Sequence, residues 1–92
     1  MDESEFKAAL LKEGFNDIDV RTIAANVHNK AHAHEFDVRA LMLAGELTLS
    51  AQGKPTTYRA GEIFTLSAGC EHVEQFGPQG ATYLVGRRHA RA

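Results

Sequence analysis

His32-Ala33-His34 places two imidazoles at positions i and i+2, and His72 adds a third later in the chain. In an extended strand, residues i and i+2 point to the same face, about 6.5–7 Å apart along the backbone. Two imidazoles so placed can converge on one metal ion, and a histidine from a neighbouring strand can supply another nitrogen. Neutral imidazole suits zinc, iron, nickel and copper better than magnesium or calcium. Three protein nitrogens leave a coordination position open to water or substrate, as a catalytic centre requires. The pattern predicts a divalent metal site at His32, His34 and His72.

Other reactive side chains lie close by in sequence. Glu74 alternates with His72 and Phe76, so its carboxylate can face the same cavity and act as a general base if partly desolvated. A twist or a sheet edge would instead leave it on the surface. Cys70 can touch the pocket, ligate a metal or react as a thiolate; free cysteine is also commonly buried and inert. Strict alternation from His34 turns Glu35 and Asp37 to the opposite face, and only a bulge would make either a ligand. Arg39 can pair there with Asp37 or Glu35, a contact worth ~0–1 kcal/mol. His28 shares the strand face of His32 but lies about 13 Å away, too far to join the cluster. It and His89 read as ordinary polar residues. Val38, Ala40, Met42, Phe64 and Phe76 can wall a pocket or simply fill the core.

The elements that must position these residues are short. Asp2 or Ser4 can cap a helix over 2–13, with Phe6, Ala9 and Leu10 on one face and Gly14 as its stop. Phe15 is expected to fold back onto it. From Ile18 the period changes from 3.6 to 2. Extended runs follow at Ile18–Ile23, His28–His34, Phe36–Leu43, Glu46–Ser50, Thr56–Arg59, Glu62–Leu66, His72–Phe76 and Ala81–Val85. Gly45, Ala51-Gln52-Gly53-Lys54-Pro55, Gly61, Gly69 and Gly77-Pro78-Gln79-Gly80 mark the turns between them. Short strands bounded in this way predict an antiparallel all-β barrel or sandwich with one short N-terminal helix.

These residues and turns together resemble the cupin superfamily. Its first motif runs Gly, five residues, His-x-His, three or four residues, Glu, six residues, Gly. Asn26 stands at the first Gly, and Asn is a residue able to take the left-handed conformation. His32, His34 and Gly45 match, while Val38 occupies the Glu position. The second motif runs Gly, five residues, Pro-x-Gly, two residues, His, three residues, Asn. Gly61, Gly69 and His72 match; Ser67 replaces the Pro and Phe76 the Asn. The resemblance covers 18–86 and implies a cupin-like barrel of the RmlC-like type, a double-stranded β-helix or jelly roll. It also implies a divalent metal, iron, zinc, nickel or manganese, held by His32, His34 and His72. Val38 cannot ligate, so the implied site has three histidines, as in some cupin dioxygenases acting on thiols and diketones.

Composition narrows the partners. Ninety-two residues predict a single domain, 1–92, made of a helix (2–13), a barrel (18–86) and a C-terminal tail (87–92). A chain this short buries about 60–65% of its unfolded surface, so a homodimer is expected. A net charge of −2 gives no reason to expect nucleic acid or membrane as a partner. Arg87, Arg88 and Arg91 read as a solvated tail. The single cysteine rules out an intrachain disulfide, and the acidic N-terminus lacks the features of a secretory signal, so a cytoplasmic setting is expected. Two functions remain. One is a dioxygenase-like or isomerase-like enzyme acting on a small polar metabolite, with Glu74 as its candidate catalytic residue. The other is a non-catalytic module that binds or senses a small ligand, with structural metal or none. The open coordination position favours the first, and Val38 and the short chain favour the second.

Overall fold

The computed structural model describes residues 1–89. Helix α1 spans Glu3–Lys12, and Asp2 caps it: its carboxylate accepts from the Glu5 amide at 2.8 Å, with the Glu5 side chain reaching back to close a capping box. Gly14, at φ +88, ends the helix. The Phe15 amide then donates to Leu10 O (2.8 Å) and the Gly14 amide to Leu11 O (3.1 Å), a pair of bonds that turns Phe15 back as expected. Phe6, Leu10 and Phe15 form one small core with Leu41 and Leu84, flanked by Ile18, Leu43 and Ile63.

Six strands follow: β1 (Asp17–Ile23), β2 (His28–His32), β3 (Phe36–Ala51), β4 (Lys54–Arg59), β5 (Ile63–Leu66) and β6 (His72–His89). β3 and β6 pair antiparallel along their length and form the spine of a sheet that folds over on itself. In one half, β1 lies on the later part of β6 and β5 on the earlier part of β3. In the other, β2 lies on the earlier part of β6 and β4 on the later part of β3. The main core lies between the halves, with Ala40, Met42, Leu47, Phe76 and Ala81 among its buried members. Helix α1 covers the outer face of the first half. The architecture is all-β with one short helix, consistent with a jelly roll.

Two expected turns are instead bends inside continuous strands. Gly45 does not separate two strands; β3 runs through it with register shifts on either side. The 77–80 segment likewise lies within β6. A glycine at positive φ in a strand permits a bulge that redirects the chain without ending its pairing, and Gly45 (φ +73) and Gly80 (φ +69) both serve in this way. The β3–β4 connection is tighter than expected. Gln52 (φ 54) and Gly53 (φ 76) alone make the turn, and Pro55 is already in β4, opposite Ser50. Two successive positive φ values mark the hairpin turn whose twist suits the flanking strands. Pro55 is tolerated because β4 is an edge strand. Arg87 and Arg88, expected in a tail from 87 onward, belong to β6, which extends to His89. The rest of that tail, including Arg91, lies outside the described residues.

β1 alternates as expected, but its inward face is the charged one. Opposed residues of an antiparallel pair share a face, and Arg21 lies opposite Tyr83, Asp19 opposite Val85 and Asp17 opposite Arg87. Tyr83 and Val85 belong to the core between the halves. Ile18 therefore turns outward to the helix, and Val20 is 52% exposed. Among the described residues, no helix is long and apolar enough to cross a membrane.

Asp37 faces away from the histidines, as alternation predicts. It accepts from the Ala68 amide at 2.8 Å and from Arg88 Nη2 at 2.9 Å. Arg39 bypasses both expected acidic partners and reaches Glu13 beyond the end of α1, with contacts of 2.7 and 2.8 Å. The Ala68 amide, and secondarily Arg88, hold the Asp37 carboxyl below the ordinary carboxylate range. A group depressed in the folded state stabilises above its unfolded pKa, and that stability is lost as pH falls through the folded value. Asp37→Asn is thus expected to flatten the acid limb of the stability profile while leaving its alkaline limb alone. Urea unfolding across the acid range measures this, and an unchanged acid limb would contradict it.

Candidate metal centre

β2 and the start of β6 bring two of the histidines together. His32, the last residue of β2, pairs directly with His72, the first of β6. Between Asn29, opposite Glu74, and His32 the register shifts: two residues of β2, Lys30 and Ala31, stand against one of β6, Val73, an insertion of one residue. This bulge turns both Asn29 and His32 inward, which strict alternation forbids at a spacing of three. It also puts His28 on the outer face, against Gln75 at 2.9 Å, so His28 does not share the face of His32 as its spacing suggested. His34 lies beyond the end of β2. The Gly69 amide holds its carbonyl at 2.8 Å, and its ring stacks on Phe36 with centroids 4.8 Å apart.

The donor atoms of His32, His34 and His72 all lie within 4.8 Å of one another. Main-chain carbonyls orient two of the rings: His32 Nδ1 is 2.7 Å from Lys30 O, and His72 Nδ1 is 3.1 Å from Cys70 O. A carbonyl only accepts, so each Nδ1 carries a proton, and in the neutral ring Nε2 is the nitrogen left to ligate. His72 is 1% exposed, and among the described residues its Nε2 is the buried side-chain polar atom with no hydrogen-bond partner. Burial, then His32 and His72, lowers the pKa of His34 and favours the neutral form that a metal ligand needs. The orphaned nitrogen, the oriented rings and three imidazoles within reach of one another all fit a metal.

Glu74 faces the cluster. Its Oε1 lies 3.7 Å from His32 Nε2 and its Oε2 4.0 Å from His72 Nε2, and Asn29 Nδ2 donates to Oε1 at 2.8 Å. A cavity of about 230 Å³ opens beside these groups, with Val38, Phe64, Leu66 and Val85 among its apolar walls and Arg21, Tyr83 and Arg87 among its polar ones. Val38 thus places an apolar wall in the motif's Glu position, while a carboxylate enters from β6. Of the other expected walls, Ala40, Met42 and Phe76 sit in the core rather than the lining. Glu35 and Asp37 line a separate hollow beside Glu13. Cys70 lines another surface hollow, its thiol 3.8 Å from Glu71 O, and only its carbonyl reaches the cluster. His89 bonds Asp17 at 2.7 Å.

Asn29, Arg21, Tyr83 and Arg87 were not singled out from sequence as site residues. The bulge disguised Asn29. Arg21 lies on a strand whose polar side reads as solvent-facing, and Arg87 falls in the segment that reads as a solvated tail but belongs to β6.

Fold and cluster together define a small folded-over β-barrel with three imidazoles at one end of its interior. No family model matches the chain, and no curated protein does. Solved structures match about four fifths of it. A protein of unknown function from Rhizobium leguminosarum is 20% identical with a TM-score of 0.74, covering 79% of this chain and 69% of that one. A cupin superfamily protein from Desulfitobacterium hafniense is 15% identical with a TM-score of 0.70, covering 79% and 66%. An RmlC-like cupin from Shewanella frigidimarina is 18% identical with a TM-score of 0.67, covering 82% and 68%. The chain spans about two thirds of the length of these structures. It has the cupin fold.

Proposed function

We propose that this protein holds one divalent metal through His32, His34 and His72 and acts on a small polar metabolite. The observation that carries the reading is the unpartnered Nε2 of His72. An unsatisfied buried polar atom costs about 1–3 kcal/mol, and coordination removes that cost. A bound divalent metal supplies Lewis-acid polarisation of a substrate oxygen. Glu74, steadied by Asn29, serves as the general base beside it, and the apolar walls limit water. A carboxylate base at this place favours isomerase-like proton transfer over dioxygenase-like chemistry. Val38 supports a second reading, a non-catalytic module that binds or senses a small ligand. In either case we propose a cytoplasmic homodimer, with the exposed Val20 and the free edge of β1 as its contact.

Calorimetric titration of the metal-free protein with Zn²⁺, Fe²⁺, Ni²⁺ and Mn²⁺ tests the reading. One equivalent of at least one metal per chain is expected, and failure of all four would exclude it. Glu74→Gln is expected to retain metal within a few-fold. A loss of several orders of magnitude would make Glu74 a ligand rather than a base.

A further inference from the structure

The cavity beside the histidines has a charge of its own. Arg21 and Arg87 line it, against one carboxylate, Glu74. Among the described residues Arg21 makes no ion pair, and its place opposite Tyr83 turns it inward. Arg87 is only partly neutralised: Asp17 lies 3.6 Å from its Nη1 and also engages His89 at 2.7 Å. Asp17 and Asp19 share the inward face of β1 but lie outside the lining. Tyr83, with no hydrogen bond from its hydroxyl among the described residues, adds a donor. Phe36 stands between the two ends, with His34 stacked 4.8 Å from it and the Arg87 guanidinium 6.0 Å from its centroid.

We infer that the ligand of this site is a small organic acid, bound with one oxygen function at the histidine cluster and a carboxylate held by Arg21, Arg87 and Tyr83. This names the ligand class of the site proposed above and rests on that reading for the histidine end. The guanidinium fork matches a carboxylate in two parallel hydrogen bonds, which a neutral amide cannot return. The size agrees. A volume of about 230 Å³ is that of about eight waters, room for a short dicarboxylate. Arg21 has no ion pair among the described residues and Arg87 shares Asp17, so guanidinium donors remain for a carboxylate at this end of the lining, and a divalent metal at the other end would favour an anion further.

The test is calorimetric titration with malonate, succinate, succinamide and inorganic phosphate, using metal-free and zinc-supplemented protein. Wild type is compared with Arg21→Gln and Arg21→Lys, each checked for folding by circular dichroism. Malonate or succinate is expected to bind, with succinamide at least about tenfold weaker. Arg21→Gln should lose about tenfold in affinity for the acid, and Arg21→Lys should recover part of it. Because Arg21 is exposed, both variants are expected to fold. Equal binding by wild type and Arg21→Gln, equal binding of succinamide, or no binding of either acid overturns the inference. Tighter binding of phosphate than of either acid also overturns it. The arginine effect should persist without metal, so a chain that binds acid but no metal defeats the metal reading alone. A chain that binds metal but shows no arginine effect defeats this inference alone.

Discussion

His72→Leu is expected to abolish metal binding while leaving the metal-free protein no less stable than wild type. These two outcomes separate a ligand from a structural histidine. His72 is 1% exposed and its Nε2 has no partner, so the metal-free wild type carries an unsatisfied buried group. Leucine fills nearly the same space without that atom, removing a penalty of about 1–3 kcal/mol. Against this stands the lost contact from Nδ1 to Cys70 O, worth about 1 kcal/mol. The balance is near zero or favourable. With metal the order reverses. At a free metal concentration of about 1,000 times Kd, the wild type gains about 4 kcal/mol, on the order of 15–30 °C in Tm for so short a chain. His72→Leu should gain almost none of it. Thermal unfolding of both proteins with and without zinc reads all four states. A variant that unfolded well below wild type without metal, or that rose as far as wild type with it, would show that His72 is not what holds the ion.

Much of this site was legible because strands carry chemistry with a simple period. His72, Glu74 and Phe76 share a face by alternation, which made Glu74 a candidate for the cavity, and its pairing opposite Asn29 turns it inward rather than to the surface. The left-handed Asn26, at φ 61, sits where the first motif has glycine, as its capacity for that conformation allowed. Bulges hid the rest. The inserted residue in β2 exchanges the faces of His28 and Asn29 relative to His32, and no residue type in that stretch announces it. Gly45 and Gly80 read equally well as turns or as bends, since both need positive φ; only pairing across β3 and β6 distinguishes them. The inward charge of β1 was hidden for another reason. Alternation says that Ile18 and Val20 share a face, but the helix covers only the end of that face where Ile18 lies. The side turned toward the cavity is therefore the one that composition marks as surface.

Gly45→Ala is expected to cost far more than an alanine at a glycine of the same backbone conformation with open space around it. At φ +73, a side chain costs about 1–2 kcal/mol by itself. An added Cβ would also run into Gly80 O and lie 2.9 Å from Ala81 Cα. These are main-chain atoms and cannot rotate away, so β3 and β6 must part at the point where both bend. Overpacking of this kind costs a further ~1–3 kcal/mol, giving about 2–5 kcal/mol in total. That is a large share of the roughly 5–14 kcal/mol expected for a chain of this length. Gly53→Ala is the control. It has the same left-handed backbone, φ +76, but an added Cβ meets nothing within 4 Å, so only the conformational cost remains. The difference between the two urea midpoints therefore isolates the close approach of the strands. Equal midpoints would mean that the bend accommodates a methyl group. The corner also fixes how the earlier part of β6, with His72 and Glu74, sits against the later part, with Tyr83 and Arg87. Gly45→Ala should therefore weaken metal binding even where the protein stays folded, whereas Gly53→Ala, whose added Cβ displaces nothing, should not.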